Sequence, residues 1–440
     1  MPRLPLVVAQ VYPDTKSVRV TPRIAEAGSH RIDARVNMQN PLKVLMLVSS
    51  YPRGDDDSAS IFLRHLTEQL HDRGLDVYVL APADRQTGTV VENGVTVKRF
   101  SYWPRRWRKL AYGSGMLPNL KANPLLWFQT PFFAISMFIS LLGLLRKVRP
   151  HVLHAHWVIP QGFIAALATR FYRIPMVITI HGGDAFALTG SLFRKSKQFS
   201  LRHSSAWTTN TSATANAIVR DDSIPAPHVI PMGVNVEHFA SGRRERLRAT
   251  VSNEKQIVLF VGRLVEKKGV DNLLTAFSML PSAVQERSIL WIIGGGEQEV
   301  ALRALAEQLG IAEMTTFWGE IPNEQLPDYY TAADVFVGPS VVAESGDTEG
   351  QGVVFIEAFA AKLCVLATRT GGIAEVVEDG QTGILVEPRS PSQLAAGIER
   401  LLTDPQMRTS LAANAYNRAK TQYDWKTIAT EFEALYRRVI

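Results

Sequence analysis

Two glutamates eight positions apart, Glu349 and Glu357, stand in the run EGQGVVFIE (349–357). Glu349 falls in a glycine-rich loop, and Glu357 on the helix expected to start near Gly352 or Val353. A carboxylate at Glu357 can accept two hydroxyl hydrogen bonds, such as those of a ribose. Glu349 can hold sugar hydroxyls or balance developing positive charge. Upstream, GRLVEKKG (262–269) sets Arg263 and Lys268 between a strand and a helix, where both can converge on a phosphate beside helix amides. Gly262 lets the chain turn at the strand end. Gly371, Gly372 and Ile373 can offer backbone amides to a diphosphate, and the triple glycine around Gly295 is a further phosphate-turn candidate. Neither run has the G-x-G-x-x-G spacing or a P-loop lysine.

Each of these residues also has a plain reading: turn charge for Arg263 and Lys268, loop charge for Glu349, a solvent-facing helix position for Glu357, a tight turn for the paired glycines. In the first half, HGGD (181–184) places His181 at a strand end where Gly182 and Gly183 allow close approach, with Asp184 as an alternative helix cap. His154 and His156 in HAHW point the same way along one strand. With no third metal ligand evident, strand-end packing and cleft polarity are expected of them, with one of the pair contacting substrate.

The elements that must position these groups alternate between strands and helices. Apolar runs at 43–48, 77–82, 95–100, 151–157, 176–184, 205–210 and 228–233 read as strands, with an amphipathic helix over 61–73. The pattern restarts with strands at 256–264, 289–296, 314–321, 334–340, 363–368 and 383–388. Helices are expected between them, then from Pro391, from Pro405 and from Trp425. This predicts an α/β protein of two Rossmann-like, doubly wound parallel sheets facing a cleft. The expected division is an extension at 1–42, a first domain at 43–235, a second at 236–422, and a C-terminal helix at 423–440 that crosses back. A chain of 440 residues is the right length for two such domains.

Charge is unevenly divided. Residues 1–235 carry 28 basic and 14 acidic side chains, and residues 236–440 carry 20 and 27. A basic half suits an anionic membrane surface or substrate. Nucleic acid is not expected, because the basic residues belong to no recognition module and the second half is acidic. The uncharged stretch 125–145 contains Pro131 near its start and reads as a buried or membrane-facing helix rather than a span. Trp103 and Trp107 alternate with Arg105, Arg106, Arg108 and Lys109, a mixture suited to a headgroup interface. A single Cys, Cys364, excludes a disulfide scaffold and reads as core packing.

Taken in order, HGGD (181–184), PMGVNVEHF (231–239), GRLVEKKG, EGQGVVFIE and TGG (370–372) resemble the retaining glycosyltransferases of family 4, which have the two-Rossmann GT-B fold. GDTEG (346–350) looks most like enzymes of bacterial exopolysaccharide or lipopolysaccharide assembly. The resemblance implies that a nucleotide sugar binds the second domain and that the anomeric configuration is retained. It implies Arg263 and Lys268 on the departing diphosphate, Glu357 on the ribose, Glu349 on the donor sugar, and His181 beside a sugar hydroxyl. It also implies no cofactor and no required metal. The acceptor is expected to be a lipid-linked or membrane-proximal glycan, and the location cytoplasmic, peripheral to the inner face of the plasma membrane. The alternatives are a small soluble anionic acceptor read by Arg105, Arg106 and Arg108, a nucleotide-sugar epimerase, or an inactive partner subunit. Two departures stand out: SSYPRGDDDSAS (49–60) has a lone glycine and three aspartates where relatives have paired glycines, and Gln351 replaces a Phe or Tyr.

Overall fold

The structure, a computed structural model, describes residues 41–440 apart from 55, 56, 58, 114, 187–189, 219–222 and 252–254. The extension read at 1–42 therefore lies outside the described residues up to position 40.

The first domain runs β1 (Lys43–Leu47), α1 (Ile61–Asp72), β2 (Asp76–Pro82), β3 (Gly88–Glu92), β4 (Val95–Phe100), α2 (Thr130–Val148), β5 (Val152–His156), β6 (Met176–Ile180), β7 (Ala206–Thr209), α3 (Ser212–Ile218) and β8 (His228–Val229). Its sheet order is β3-β4-β2-β1-β5-β6-β7-β8. All neighbours are parallel except β3, which pairs antiparallel with β4. That hairpin corrects the all-parallel expectation. Asn93 and Gly94 at its turn both have positive φ, 49° and 79°, as a two-residue hairpin turn needs. The strand read at 228–233 is only two residues long, because the chain leaves the sheet there for the second domain.

The second domain runs β9 (Gln256–Val261), α4 (Val270–Ser278), β10 (Ser288–Ile293), β11 (Thr315–Gly319), α5 (Leu326–Ala332), β12 (Val335–Gly338), α6 (Val353–Ala360), β13 (Cys364–Thr368), α7 (Ile373–Val376) and β14 (Ile384–Val386). Its order is β11-β10-β9-β12-β13-β14, all parallel. Each switch in strand order opens a crevice at the carboxyl ends of the strands.

Both sheets are covered on both faces, which is why their strands read as continuous apolar runs. One face of the first sheet packs Leu45, Leu47, Leu80 and Leu153 against Phe133, Met137 and Leu141 of α2. Its other face is covered by α1 and by the last helix, α8 (Trp425–Val439), whose Ile428, Phe432, Leu435 and Tyr436 join Val44, Met46, Val77 and Val177. The C-terminal helix thus completes the core of the first domain. Arg73 on α1 ties to Glu433 on α8 at 2.7 Å. The two chain crossings between domains lie side by side: the Val234 amide donates to the Tyr423 carbonyl at 2.7 Å, and a side chain on Gly233 would collide with Trp425.

Candidate active site

The second domain contributes a charged pair. Lys268, in the turn between β9 and α4, sets its Nζ 2.5 Å from Oε2 of Glu349, each side chain being 13% exposed. A Cβ on Gly262 would crowd the Phe260 ring at 3.2 Å, with the Lys268 stem beside it at ordinary contact distance. Burial pushes the Glu349 carboxyl up. Lys268, Lys267 and Arg263 together outweigh it and hold the group below its ordinary value. Arg263 itself is exposed at the strand end. Lys267, which sequence reading passed over, is anchored to Asp347 at 3.1 Å and to the Thr348 carbonyl, so it braces the loop carrying Glu349.

Glu357 projects from the first turns of α6. The Tyr330 hydroxyl, wholly buried on α5, donates to its Oε2 at 2.8 Å. Burial raises this carboxyl to about 7 against the opposing effects of Tyr330 and Lys268. The plain reading of Glu357 as a solvent-facing helix residue is thereby corrected, and Tyr330 is a further site residue that no local motif announced. The two glutamates sit in one loop–helix unit with Lys268 beside both.

The glycine pair behaves differently from its sequence reading. The Gly372 amide donates to the Glu349 carbonyl at 3.1 Å, and the Ile373 amide to the Thr370 carbonyl at 3.1 Å. Two of the three amides expected on a diphosphate are therefore committed to the protein. What the glycines provide is closeness: a Cβ on Gly371 would lie 2.1 Å from the Glu349 carbonyl oxygen, and one on Gly372 1.8 Å from that of Gly350. Gly295 has a similar role. Its carbonyl accepts from the Leu264 amide at 2.9 Å, and Cβ atoms on its neighbours Gly294 and Gly296 would strike the backbone of Gly262 and Leu264. The triple glycine thus packs against the GRL strand end.

Across the cleft, His181 follows β6. Its Nε2 lies 3.2 Å from Nδ1 of His156, with the two ring planes 13° from parallel. Burial drives the His181 pKa down to about 3, so the imidazole is neutral at physiological pH. His154 is enclosed by the Tyr436 hydroxyl at Nδ1 and the Thr179 hydroxyl at Nε2, both at 2.7 Å. A buried His154 held on both nitrogens cannot reach substrate, which leaves His156 to touch the site through His181. Asp184 caps not its own helix but the helical segment that starts at Val158. Its Oδ2 accepts from the Val158 amide at 2.7 Å, and burial raises its carboxyl to about 7. Among the described residues no three His, Cys, Asp or Glu side chains converge as a metal site.

The domains meet at this point. Gly182 faces Gly350 so closely that a Cβ on either would lie 3.1 Å from the other's Cα. The Thr211 hydroxyl donates to the Gly350 carbonyl at 3.0 Å, and Glu375 on α7 accepts from the Ser212 and Ala213 amides at 2.8 Å each. Gln351 explains one sequence departure: it accepts from the Met232 amide at 2.7 Å and donates to the Met232 carbonyl at 3.2 Å. A Phe or Tyr could not make this peptide-like pair with the interdomain linker. In the other departure, Asp57 is held by Arg53, while Asp55 and Asp56 lie outside the described residues. Arg108, expected to read an anion, instead spends its guanidinium on Trp103 and Asp84 carbonyls and the Ser101 hydroxyl. Cys364 is buried, as core packing requires.

The sequence matches the family model for glycosyl transferases group 1 over residues 243–418 and that for a glycosyl transferase 4-like domain over 59–233. It is 33% identical to a GDP-mannose-dependent alpha-(1-6)-phosphatidylinositol monomannoside mannosyltransferase of Mycobacterium tuberculosis, over 47% of this chain and 55% of that protein. The chain thus spans about half the length of that curated relative. A putative teichuronic acid biosynthesis glycosyltransferase of Bacillus subtilis is 27% identical over 87% of this chain and 95% of that protein. Among solved structures, sucrose-phosphate synthase of Thermosynechococcus elongatus superposes with a TM-score of 0.73 at 23% identity, covering 90% of this chain and 99% of that one. Two parallel-sheet domains meeting at a charged cleft, with both halves matched by these models, place the chain in glycosyltransferase family 4, with the GT-B fold.

Proposed function

We propose that the protein transfers a sugar, with retention of anomeric configuration, from a nucleoside-diphosphate sugar to a lipid-linked or membrane-proximal glycan. The observation that carries this reading is the Lys268–Glu349 pair, with Arg263 beside it and His181 across the cleft. Departure of a nucleoside diphosphate develops negative charge, and preorganised cations stabilise it. Lys268 and Arg263 supply that charge without a divalent ion. Glu357, oriented by Tyr330, takes the ribose hydroxyls. Glu349 and the neutral His181 hold hydroxyls of the donor sugar. The likeness to a GDP-mannose-dependent enzyme supports a nucleotide-sugar donor.

The acceptor assignment is supported by the basic first domain and by aromatic residues exposed on it, Trp107 and Trp127 among them. In this reading the protein works in the cytoplasm, peripheral to the membrane. Exposed Arg105 and Arg106 favour a second reading, a small soluble anionic acceptor, which product analysis on water-soluble acceptors separates.

The deciding experiment is a calorimetric titration with UDP, GDP and ADP and their sugar conjugates, without and then with magnesium. Metal-independent binding of one nucleoside diphosphate, weakened but still measurable in Lys268→Ala, is the expected result. Failure of every nucleotide to bind overturns the reading. Anomeric analysis of the product by NMR tests retention.

A further inference from the structure

Helix α2 has two apolar sides, and only one of them is used by the fold. Phe133, Met137, Leu141 and Leu145 face the sheet and are buried. On the opposite side, Phe132, Ile135 and Ile139 are 51%, 57% and 63% exposed. They extend a patch begun by the preceding 3₁₀ turn, Pro124–Gln129, where Leu125, Trp127 and Phe128 are 71%, 51% and 71% exposed. Phe128, Phe132, Ile135 and Ile139 recur at helical spacing and form one stripe. A contiguous exposed apolar surface of this kind marks an interaction site.

Three occupants are conceivable, and the structure discriminates among them. The segment Pro124–Val148 is long and apolar enough to span a bilayer by length and composition. Spanning would strip its inner side from the first sheet, so the helix lies on a surface rather than crossing it. A second copy of the chain is opposed by charge. Residues 93–183 contain 12 Lys and Arg and no Asp or Glu, so two such faces repel each other. Arg105, Arg106 and Lys121 are exposed near the start of the patch, and Arg146 and Lys147 lie exposed at the far end of α2. Apolar and aromatic groups flanked by exposed basic side chains match the boundary of an anionic bilayer, where rings sit among headgroups and cations meet phosphates.

Position adds a further constraint. Strands β4 and β5 belong to a parallel sheet, so α2, which joins the end of one to the start of the other, runs opposite to them. Its exposed N-terminal end therefore lies at the edge of the sheet from which His181 emerges. We infer that the 3₁₀ turn 124–129 and the outer stripe of α2 dock in the plane of an anionic phospholipid surface, bringing the mouth of the cleft to the membrane. This rests on the reading of a lipid-anchored acceptor and specifies where that acceptor enters.

The test is co-sedimentation of the full chain with vesicles of phosphatidylcholine alone or mixed with phosphatidylglycerol, at low and high salt. Binding to the mixed vesicles only, released by salt, is expected. The triple variant Leu125→Gln/Trp127→Gln/Phe128→Gln, all at exposed positions, should weaken it about tenfold or more. Arg105→Gln/Arg106→Gln should weaken it too and flatten the salt dependence. No binding to mixed vesicles, or equal binding by the triple variant, overturns the proposal. So does a dimer of the wild type that the triple variant dissolves, since the patch would then hold a second copy. Nucleotide calorimetry on the same samples keeps the two readings apart. Nucleotide binding without vesicle binding removes the docking surface alone. Vesicle binding without nucleotide binding supports the surface and overturns the transferase reading.

Discussion

Lys268 and Glu349, 81 positions apart in sequence, meet at 2.5 Å in the second domain, and each is the other's nearest opposite charge. In the proposed reading an incoming diphosphate shares Lys268 with Glu349, whose contact fixes the cation before the donor arrives. Lys268→Ala removes one preorganised contact, commonly about 3–4 kcal/mol in catalysis. Transfer should fall by roughly two to three decades, with the far-ultraviolet circular dichroism unchanged. A near-wild-type rate would remove Lys268 from the mechanism.

The same pair has a pH signature. Because the folded carboxyl of Glu349 is depressed, its contribution to stability is present above the ordinary carboxylate value and disappears as the pH falls through the lower folded value. In Lys268→Ala the group is buried without its nearest cation, so its carboxyl rises. The variant should therefore begin to lose donor affinity at a higher pH than wild type as the solution is acidified, measured by calorimetry.

Glu357 behaves in the opposite sense. Its folded value, raised to about 7, favours the protonated acid in the folded protein. Its contribution to stability is thus fully present below the ordinary carboxylate value and is lost as the pH rises through about 7. In the proposed ribose role the ionised carboxylate is the stronger acceptor, so nucleotide affinity should climb across that interval. Tyr330→Phe deletes a hydroxyl that lowers the carboxyl, and should move the climb to higher pH. An unshifted profile would show that Tyr330 does not orient Glu357.

His181, driven to about 3 by burial, does not change charge between pH 5 and 8. His181→Ala should reduce turnover by roughly two decades, as loss of one positioned polar contact does. The pH dependence of turnover should keep its shape. A limb near pH 6.5 that vanishes in the variant would show that the histidine titrates during the reaction.

The interdomain contacts predict a change of shape. Glu375→Ala releases the Ser212 and Ala213 amides, and the solution radius of gyration from X-ray scattering should increase as the domains part. Gln351→Ala leaves the Met232 amide buried without a partner, which costs about 1–3 kcal/mol. Thermal unfolding should report that loss as a lower midpoint.

The strand–loop–helix units were legible because each lies within a few tens of residues and carries its own punctuation. GRLVEKKG and EGQGVVFIE announce where a strand stops, where glycines permit contact and where a helix begins. What was not legible depends on partners far away in the chain. Tyr330 reaches Glu357 across 27 positions, and Tyr436 reaches His154 across 282. No spacing rule connects such pairs. The antiparallel β3 was different: Asn93-Gly94 between β-branched residues is a hairpin signal that the sequence reading passed over. The amides of Gly372 and Ile373 were misread because glycine runs that receive phosphate and those that receive another backbone look alike in sequence.

Helix α8 covers a sheet whose last strand ends at Val229, yet it is made only after the entire second domain. During synthesis the face of the first sheet that carries Val44, Met46 and Val177 is covered by α1 alone while nearly two hundred residues are added. At about 5–20 residues per second that is roughly 10–40 s, long enough for exposed strands to find wrong partners. The nascent first domain therefore completes its core only when this helix arrives, and the same helix holds His154 in place.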